Sequence, residues 1–223
     1  LRVGAGLVSI ATRAAHATLL AAVRPELMPH GVEGPAELAP LLERATVVAL
    51  GPGLGQGDWG RRMYQTVLAS GLPLVVDADA LNLLAKGPRM LENWVLTPHP
   101  GEAGRLLGGS AGEIQADRFA ALGRLIARYG GTCVLKGAGT LIGDAGGPVS
   151  VCGLGNPGMA SGGMGDVLTG VIAGLCAQGL SLPAAARAGV CVHAGAGDRA
   201  ARSGERGLLA GDLIGELRAE LNP

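Results

Sequence analysis

The first two-thirds of the chain alternates short apolar runs with longer segments of helical character. Most of the short runs are apolar without interruption, which is typical of parallel strands that are covered on both faces. We therefore predict five strands, at residues 7–10, 45–50, 74–77, 94–97 and 132–136.

Helices are predicted between these strands, at about residues 12–24, 36–44, 58–70, 79–86 and 112–129. The last begins with a capping box, in which the side chains of Ser110 and Glu113 satisfy the first free amides of the helix. Residues 140–143 and 149–152 are predicted to form a β-hairpin, and the chain that follows is predicted to be helical to its end.

Alternation of strands and helices predicts an α/β fold, a doubly wound sandwich around a mostly parallel sheet. No linker or shift in composition divides the chain, so we expect a single domain over residues 1–223. In such folds, ligands bind where parallel strands end and helices begin. The residues that follow the strands are therefore the first candidates for chemistry.

The charge balance excludes several classes of partner. Eighteen Lys and Arg residues cancel 18 Asp and Glu residues, so the chain lacks the basic surface of a protein that binds nucleic acid or an anionic membrane. Aromatic residues make up only 2%, which predicts an aliphatic core and no platform for stacking bases. No apolar run reaches the ~18 residues of a membrane span, and we expect a soluble, cytoplasmic protein.

The cysteines support that compartment. Cys133, Cys152, Cys176 and Cys191 form no CxxC pair, and we interpret them as buried thiols in a reducing environment rather than as disulfides or zinc ligands. The chain opens on Leu1 instead of Met, within a sequence that resembles the interior of a domain. We interpret it as a fragment.

The strongest candidate site is the segment NPGMASGGMGD at 156–166, which leads into an apolar helix. Glycines at 162, 163 and 165 leave amides free to converge on an anion, and the helix dipole adds positive potential. Asp166 falls in the first helical turn, where it either caps the helix or accepts a proton from a substrate hydroxyl. The preceding glycines favour the second role.

A second candidate is Lys136, which ends a strand and precedes the loop 137–140. Its charge and the loop amides can reach phosphates, although a lysine at the end of a sheet can also extend into solvent. Neither a P-loop nor a GxGxxG dinucleotide motif after a first strand is present. The GPGLG segment at 51–55 predicts only a ligand-facing turn.

Carboxylates and an amide follow the strand at 74–77. Asp79 and Asn82 are three residues apart and are expected to share one helical face, where they can contact a substrate. Asp77 or Asp79 can equally be the cap of that helix. The sequence leaves these two interpretations open.

A histidine and a glutamate follow the next strand. Pro98 and Pro100 restrict the backbone on both sides of His99, which favours a ligand contact for its ring. Glu102 opens the next helix and can hold Mg²⁺ through water. His193 lies in an apolar helix and is interpreted as a packing residue.

Five segments, in this order, resemble the ADP- or ATP-dependent NAD(P)H-hydrate dehydratases of the ribokinase-like superfamily. They are GPGLG at 51–55, VVDADALNLL at 75–84, LTPHPGEAGRLLG at 96–108, VLKGAGT at 134–140 and NPGMASGGMGDVLTGVIAGL at 156–175. The resemblance covers nearly the whole chain and implies a three-layer α/β/α sandwich. It implies a repair enzyme that restores NADH or NADPH from the hydrated cofactor, using ADP or ATP.

The resemblance also implies roles for individual residues. Asp166 would be the catalytic base, and Gly53, His99 and Asp166 would contact the hydrate. From their position after the strand, we expect Asp79 and Asn82 to bind the substrate as well. Glu102 would stand at the site of Mg²⁺ and phosphate. The nucleotide would be bound by Lys136, Gly137, Ala138, Gly139, Thr140, Asn156, Pro157, Gly158, Met159, Ala160, Ser161, Gly162, Gly163, Met164 and Gly165.

The implied chemistry agrees with these residue types. Hydroxide is a poor leaving group, and phosphorylation of the ring hydroxyl makes it a good one, so the protein has to gather negative charge and orient a hydroxyl. A ribokinase-like kinase for a vitamin precursor would use the same parts, and a nucleotide-binding protein without catalysis is a third hypothesis.

Two further expectations concern partners and extent. The resemblance implies NADHX or NADPHX as substrate, a homotetramer and an association or fusion with a hydrate epimerase. Family members begin with an additional strand and a glycine-rich segment before the sequence found here at 2–9. We therefore expect the N-terminal strand of the fold to be missing from this chain.

Overall fold

The computed structural model describes residues 1–222 and contains two sheets. A small parallel sheet pairs β1 with β2, and the larger sheet carries β3 to β8 side by side in chain order. The strands are β1 (Ser9–Thr12), β2 (Met28–Gly31), β3 (Val48–Leu50), β4 (Leu74–Val76), β5 (Trp94–Leu96), β6 (Thr132–Leu135), β7 (Thr140–Asp144) and β8 (Ser150–Cys152).

The larger sheet is mostly parallel, as predicted. Strands β3 to β6 run parallel, whereas β7 and β8 are antiparallel and form the predicted hairpin. All residues of β4, β5 and β6 are buried, which explains their uninterrupted apolar sequences.

Ten helices complete the described residues 1–222. They are α1 (Ala14–Val23), α2 (Pro35–Leu42), α3 (Asp58–Leu68), α4 (Ala78–Lys86), α5 (Pro100–Leu107), α6 (Ala111–Ala116), α7 (Arg118–Tyr129), α8 (Met164–Ala177), α9 (Leu182–Ala200) and α10 (Ala210–Leu221). Short 3₁₀ turns occupy Pro157–Met159 and Ala201–Ser203.

Two apolar cores separate the layers. Leu96 and Leu135 point into the core formed with α2 to α7, while their neighbours Val95 and Val134 point into the core formed with α8, α9 and α10. This alternation follows from the two-residue period of a strand. The predicted three-layer sandwich is thereby confirmed.

The N-terminal region differs from the prediction. The first strand lies at Ser9–Thr12 rather than 7–10, and it pairs with β2 outside the larger sheet. Strand β2 was not predicted, because Pro29 and Gly31 are poor strand formers. Helix α1 follows β1 and has no buried residue.

The helix predicted over 112–129 is two helices. Asp117 lies between α6 and α7 with a φ of −148°, and its side chain accepts a hydrogen bond from the Ala120 amide at 2.9 Å. An aspartate that caps a new helix interrupts the preceding one. The predicted capping box at Ser110 and Glu113 is confirmed and begins α6.

The thiols are less uniform than predicted. Cys133 and Cys152 are buried, but Cys176 is only half-buried and Cys191 is exposed on α9, and all four are free. The prediction of four buried thiols is thus wrong for Cys191.

Within residues 1–222, none of the helices combines the length and the apolar character needed to cross a membrane.

Gly51, which follows β3, has a φ of +132°, and a Cβ there would lie 1.8 Å from the Asp77 carbonyl oxygen. We expect Gly51→Ala to lower the free energy of unfolding by at least about 2 kcal/mol, because strain and a backbone clash add. Gly123→Ala is the control. It lies in α7 with open space around it, and alanine there should stabilise by roughly 0.5–1 kcal/mol. Denaturant unfolding measures both, and equal stabilities would contradict the clash.

Candidate active site

A cleft of about 780 Å³ opens where β4, β5 and β6 end and α8 begins. Many of the predicted site residues line it, from the segments that follow β5 and β6 and from the glycine-rich run that leads into α8. Those present are His99, Glu102, Lys136, Gly137, Ala138, Gly139, Thr140, Asn156, Pro157, Met159, Ala160, Ser161, Met164, Gly165 and Asp166.

The other predicted site residues do not line this cleft. Asp79 accepts hydrogen bonds from the Gly55 amide at 2.9 Å and from the Gln56 side chain at 3.2 Å. Asn82 accepts a bond from the Arg105 side chain at 2.8 Å. The Asp79 contacts tie the loop that contains Gly53 to α4, and the Asn82 contact joins α4 to α5. Gly158, Gly162 and Gly163 also fall outside its lining.

The glycine-rich run turns sharply into α8. Gly163 is the N-cap residue with a φ of +86°, a conformation that favours glycine. Met164 starts the helix and Asp166 occupies its first turn. Asp166 is therefore not the cap, and within residues 1–222 its carboxylate makes no hydrogen bond that would give it a structural role.

An ion pair between the half-buried Lys136 and the buried Asp77 lies next to this turn. The Lys136 ammonium contacts Asp77 Oδ1 at 2.8 Å, and the Thr169 hydroxyl donates to Asp77 Oδ2 at 2.9 Å. A Cβ on Gly165 would lie 3.1 Å from Lys136 Nζ, so the glycine lets α8 approach the ion pair closely. Asp77 stands at the N-cap position of α4 without capping it through its side chain.

The surroundings alter the acidity of the candidate base. Burial raises the pKa of Asp166 above its ordinary value, and the nearby Asp77 carboxylate reinforces this shift, while the Lys136 ammonium opposes it. A raised pKa moves a carboxylate toward the range in which it accepts protons effectively near neutral pH. Asp166 is exposed to solvent, and the direction of this shift is the one expected of a carboxylate that accepts a proton.

His99 and Glu102 form a capping box at the start of α5. The Gly101 amide donates to His99 Nδ1 at 3.0 Å, and the His99 amide donates to Glu102 Oε2 at 2.8 Å. Glu102 is buried, and its Oε2 lies 3.8 Å from Lys136 Nζ. Both side chains thus line the cleft, the His99 ring largely exposed and the Glu102 carboxylate buried.

Asp198 on α9 holds the start of the glycine-rich run. Its two oxygens accept bonds from the Gly155 amide at 3.0 Å and from the Asn156 side chain at 2.9 Å. Sequence reasoning missed Asp198 and Thr169, and it left Asp77 undecided. All three act on segments that are distant in the sequence, so local spacing gives no signal for them.

His193 packs against the same turn, in agreement with its interpretation as a packing residue. It is buried, and its Nε2 donates to the Met164 carbonyl at 2.9 Å. Burial lowers the pKa of His193 to about 4, although the hydrogen bond to Met164 opposes the shift. The ring is therefore neutral at pH 7 and fixes the first turn of α8 to α9.

The comparison with known proteins agrees with this geometry. The family model described as NAD(P)H-hydrate dehydratase matches residues 1–218. This chain belongs to that family. Among curated relatives, the "Bifunctional NAD(P)H-hydrate repair enzyme Nnr" of Coxiella burnetii is 57% identical over all of the chain, which spans only 46% of that relative's length.

Two further members of the dehydratase family are similar. The "ADP-dependent (S)-NAD(P)H-hydrate dehydratase" of Neisseria meningitidis is 41% identical over 78% of this chain and 60% of its own length. The ADP/ATP-dependent NAD(P)H-hydrate dehydratase of Bacillus subtilis, crystallised with ATP and Mg²⁺, superimposes with a TM-score of 0.85. It is 28% identical, and the match covers 99% of this chain and 82% of that one.

The buried imidazole predicts a pH dependence of stability. Unfolded His193 titrates near 6.5 and the folded residue near 4, so the unfolded chain binds the extra proton between these values. We expect the free energy of unfolding to be fully retained above pH 6.5 and to fall by about 3 kcal/mol by pH 4. His193→Gln keeps a donor for Met164 but does not titrate, and it should flatten this slope.

The control for this prediction is His16→Gln, which alters an exposed histidine on α1. It should keep the slope of the unaltered protein. Urea unfolding at a series of pH values measures all three proteins. If His193→Gln shows the same decline as the unaltered protein, then another group accounts for the acid sensitivity.

Proposed function

We propose that this chain dehydrates NADH hydrate and NADPH hydrate, driven by ADP or ATP. The main support for the proposal is the position of Asp166, which lies in the first turn of α8, directly after the glycine-rich run, and close enough to Asp77 and Lys136 to feel both charges. The names of the similar family members point to the same reaction. We propose the same substrates for this chain.

The nucleotide would lie in the cleft with its phosphates near the start of α8. The amides of Gly163 to Gly165 and the helix dipole supply positive potential there without a charged side chain. The loop 137–140 lines the same cleft, and we assign it to the same phosphates. Asn156, held by Asp198, would position the remainder of the glycine-rich run against the nucleotide.

The charges of the cleft support a divalent cation. Asp77, Glu102 and Asp166 line it together with a single ammonium, that of Lys136, so carboxyl groups outnumber ammonium groups even before phosphates enter. Mg²⁺ typically binds through one or two carboxylates, waters and substrate phosphates. Within residues 1–222 no cluster of three ligating side chains exists, and we assign Mg²⁺ to Glu102 through water. When bound, the ion would neutralise phosphate charge.

The reaction would begin with phosphoryl transfer. Asp166 accepts the proton of the ring hydroxyl as that oxygen attacks the terminal phosphorus, which releases AMP from ADP or ADP from ATP. The lone pair of the ring nitrogen then expels phosphate by breaking the carbon–oxygen bond. Loss of a proton from the adjacent ring carbon restores the double bond. The ring thereby loses the elements of water, whose oxygen leaves within the phosphate, and one phosphoanhydride bond of the nucleotide is cleaved.

The hydrate would approach from the side of His99. We assign its contacts to Gly53, His99 and Asp166. Asp79 holds the Gly53 loop through the Gly55 amide, and Asn82 in turn donates to Asp79 at 3.5 Å. We further propose a cytoplasmic location, a homotetramer and an association with a hydrate epimerase. The name of the Coxiella relative, a bifunctional repair enzyme, supports the last of these.

The function is tested by supplying cofactor hydrate and Mg²⁺ with either ADP or ATP. We expect inorganic phosphate and reduced nicotinamide cofactor, which is measured by its absorbance, to appear in equal amounts. A vitamin precursor that is instead converted into a stable phosphorylated alcohol would identify a kinase. Nucleotide binding without turnover of either substrate would identify a nucleotide-binding protein that has no catalytic activity.

Asp166→Asn should lower kcat for the hydrate by about 10²–10⁴, the range for loss of a positioned base. Nucleotide affinity should change little, because the glycine amides and Lys136 remain. Steady-state kinetics and calorimetric titration with ADP and Mg²⁺ measure the two quantities. Asp58→Asn, which alters an exposed aspartate in the first turn of α3, is the control and should retain normal turnover. An Asp166→Asn variant with near-normal kcat would refute the base.

A further inference from the structure

Arg118, the first residue of α7, donates two hydrogen bonds to the backbone at the end of β6 and in the loop that follows it. Its Nη1 donates to the Ala138 carbonyl at 2.6 Å, and its Nη2 donates to the Leu135 carbonyl at 3.1 Å. These two carbonyls bracket Lys136. One guanidinium therefore fixes both sides of the turn that carries the lysine of the buried ion pair.

The loop is shaped to receive this guanidinium. A Cβ on Gly137 would lie 3.1 Å from Arg118 Nη2, and Gly137 has a φ of +148°. Gly139 also has a positive φ, of +65°. The Thr140 hydroxyl closes the turn by donating to the Gly137 carbonyl at 2.9 Å. Both glycines thus serve a defined turn with Arg118 packed against it.

The position is electrostatically costly for an arginine. A cation at the N-terminus of a helix opposes the helix dipole, and burial lowers the pKa of Arg118. Its Nε is buried without a hydrogen-bond partner among the described residues. The two bonds to loop carbonyls offset this cost, which indicates that the loop contact is the reason for the placement.

The direction of the Ala138 carbonyl has a consequence for the cleft. In a trans peptide the C=O and the following N–H point in opposite directions. Because the Ala138 carbonyl faces Arg118, the Gly139 N–H faces away from it, and Ala138 and Gly139 both line the cleft while Arg118 does not. Within residues 1–222 this N–H has no acceptor.

We propose that Arg118 is a positioning residue that turns the Gly139 amide toward a phosphate of the bound nucleotide. The inference rests on the proposed nucleotide site and adds a residue that does not itself touch the ligand. It predicts an effect on ADP or ATP binding that is separate from the chemistry at Asp166.

The test replaces Arg118 by methionine, which keeps length but loses both donors. Calorimetric titration with ADP and Mg²⁺, without hydrate, should give a Kd raised about tenfold or more. In turnover, the KM for ADP should rise by a similar factor while the KM for hydrate stays within about twofold. The matched control is Arg124→Met on the same helix, an exposed arginine, which should leave both constants unchanged.

Chemical rescue by guanidinium distinguishes a positioning role of Arg118 from a general effect on the stability of the protein. Arg118→Ala leaves space for a guanidinium ion, so millimolar guanidinium should recover most of the lost ADP affinity and ammonium should not. Arg118→Lys keeps the charge but offers a compact ammonium in place of a fork, and it should fall between the unaltered protein and Arg118→Met. If Arg118→Met is unstable, Arg118→Lys and the rescue decide the question in its place.

The outcomes distinguish this inference from the proposed function. An unaltered protein that binds ADP but does not turn over the hydrate would refute the function, and weaker ADP binding by Arg118→Met would still support the positioning role. Unaltered ADP affinity in Arg118→Met would overturn that role, even in an enzyme that turns over the hydrate. Equal rises in both KM values without guanidinium rescue would overturn it as well.

Discussion

The buried ion pair between Lys136 and Asp77 connects the parts of the cleft. It joins the ends of β6 and β4 across the intervening β5, and Thr169 attaches it to α8. A buried charge without its partner is strongly destabilising, so the pair requires that the sheet and α8 pack together in one arrangement. Asp166 belongs to the same helix. The ion pair therefore fixes the candidate base relative to the loop that follows β6.

The same requirement gives Gly165 two roles. As part of a glycine-rich run, it leaves its amide open to an anion. It also lets the helix backbone approach the ion pair, because a Cβ would come within 3.1 Å of Lys136 Nζ. The first role is visible in the sequence, whereas the second depends on a lysine 29 positions earlier in the chain. Gly165 is thus required both for the packing of α8 against the ion pair and for the proposed binding of an anion.

The sequence predicted what local patterns determine. Strands β4 to β6 are apolar on both faces, and the position of Asp166 follows from the glycines before α8. It did not predict β2, whose Pro29 and Gly31 are held in a strand by pairing with β1. Nor did it assign Asp77, which has an ordinary cap position but a partner 59 residues away. Arg118 was missed because it acts through backbone carbonyls, which no side-chain pattern reveals.

The layout of the cleft also explains how a kinase-like site can serve a lyase. Its carboxylates outnumber its ammonium groups, so most of the attraction for phosphates has to come from amides, a helix dipole and a metal ion. These groups act on the phosphates and do not select the molecule that carries the attacking hydroxyl. If the hydroxyl carbon is bonded to an electron-rich nitrogen, as in the hydrated nicotinamide ring, the phosphorylated product eliminates phosphate by its own electron pair. Under the proposed function, the outcome therefore depends on which substrate binds in the cleft beside His99.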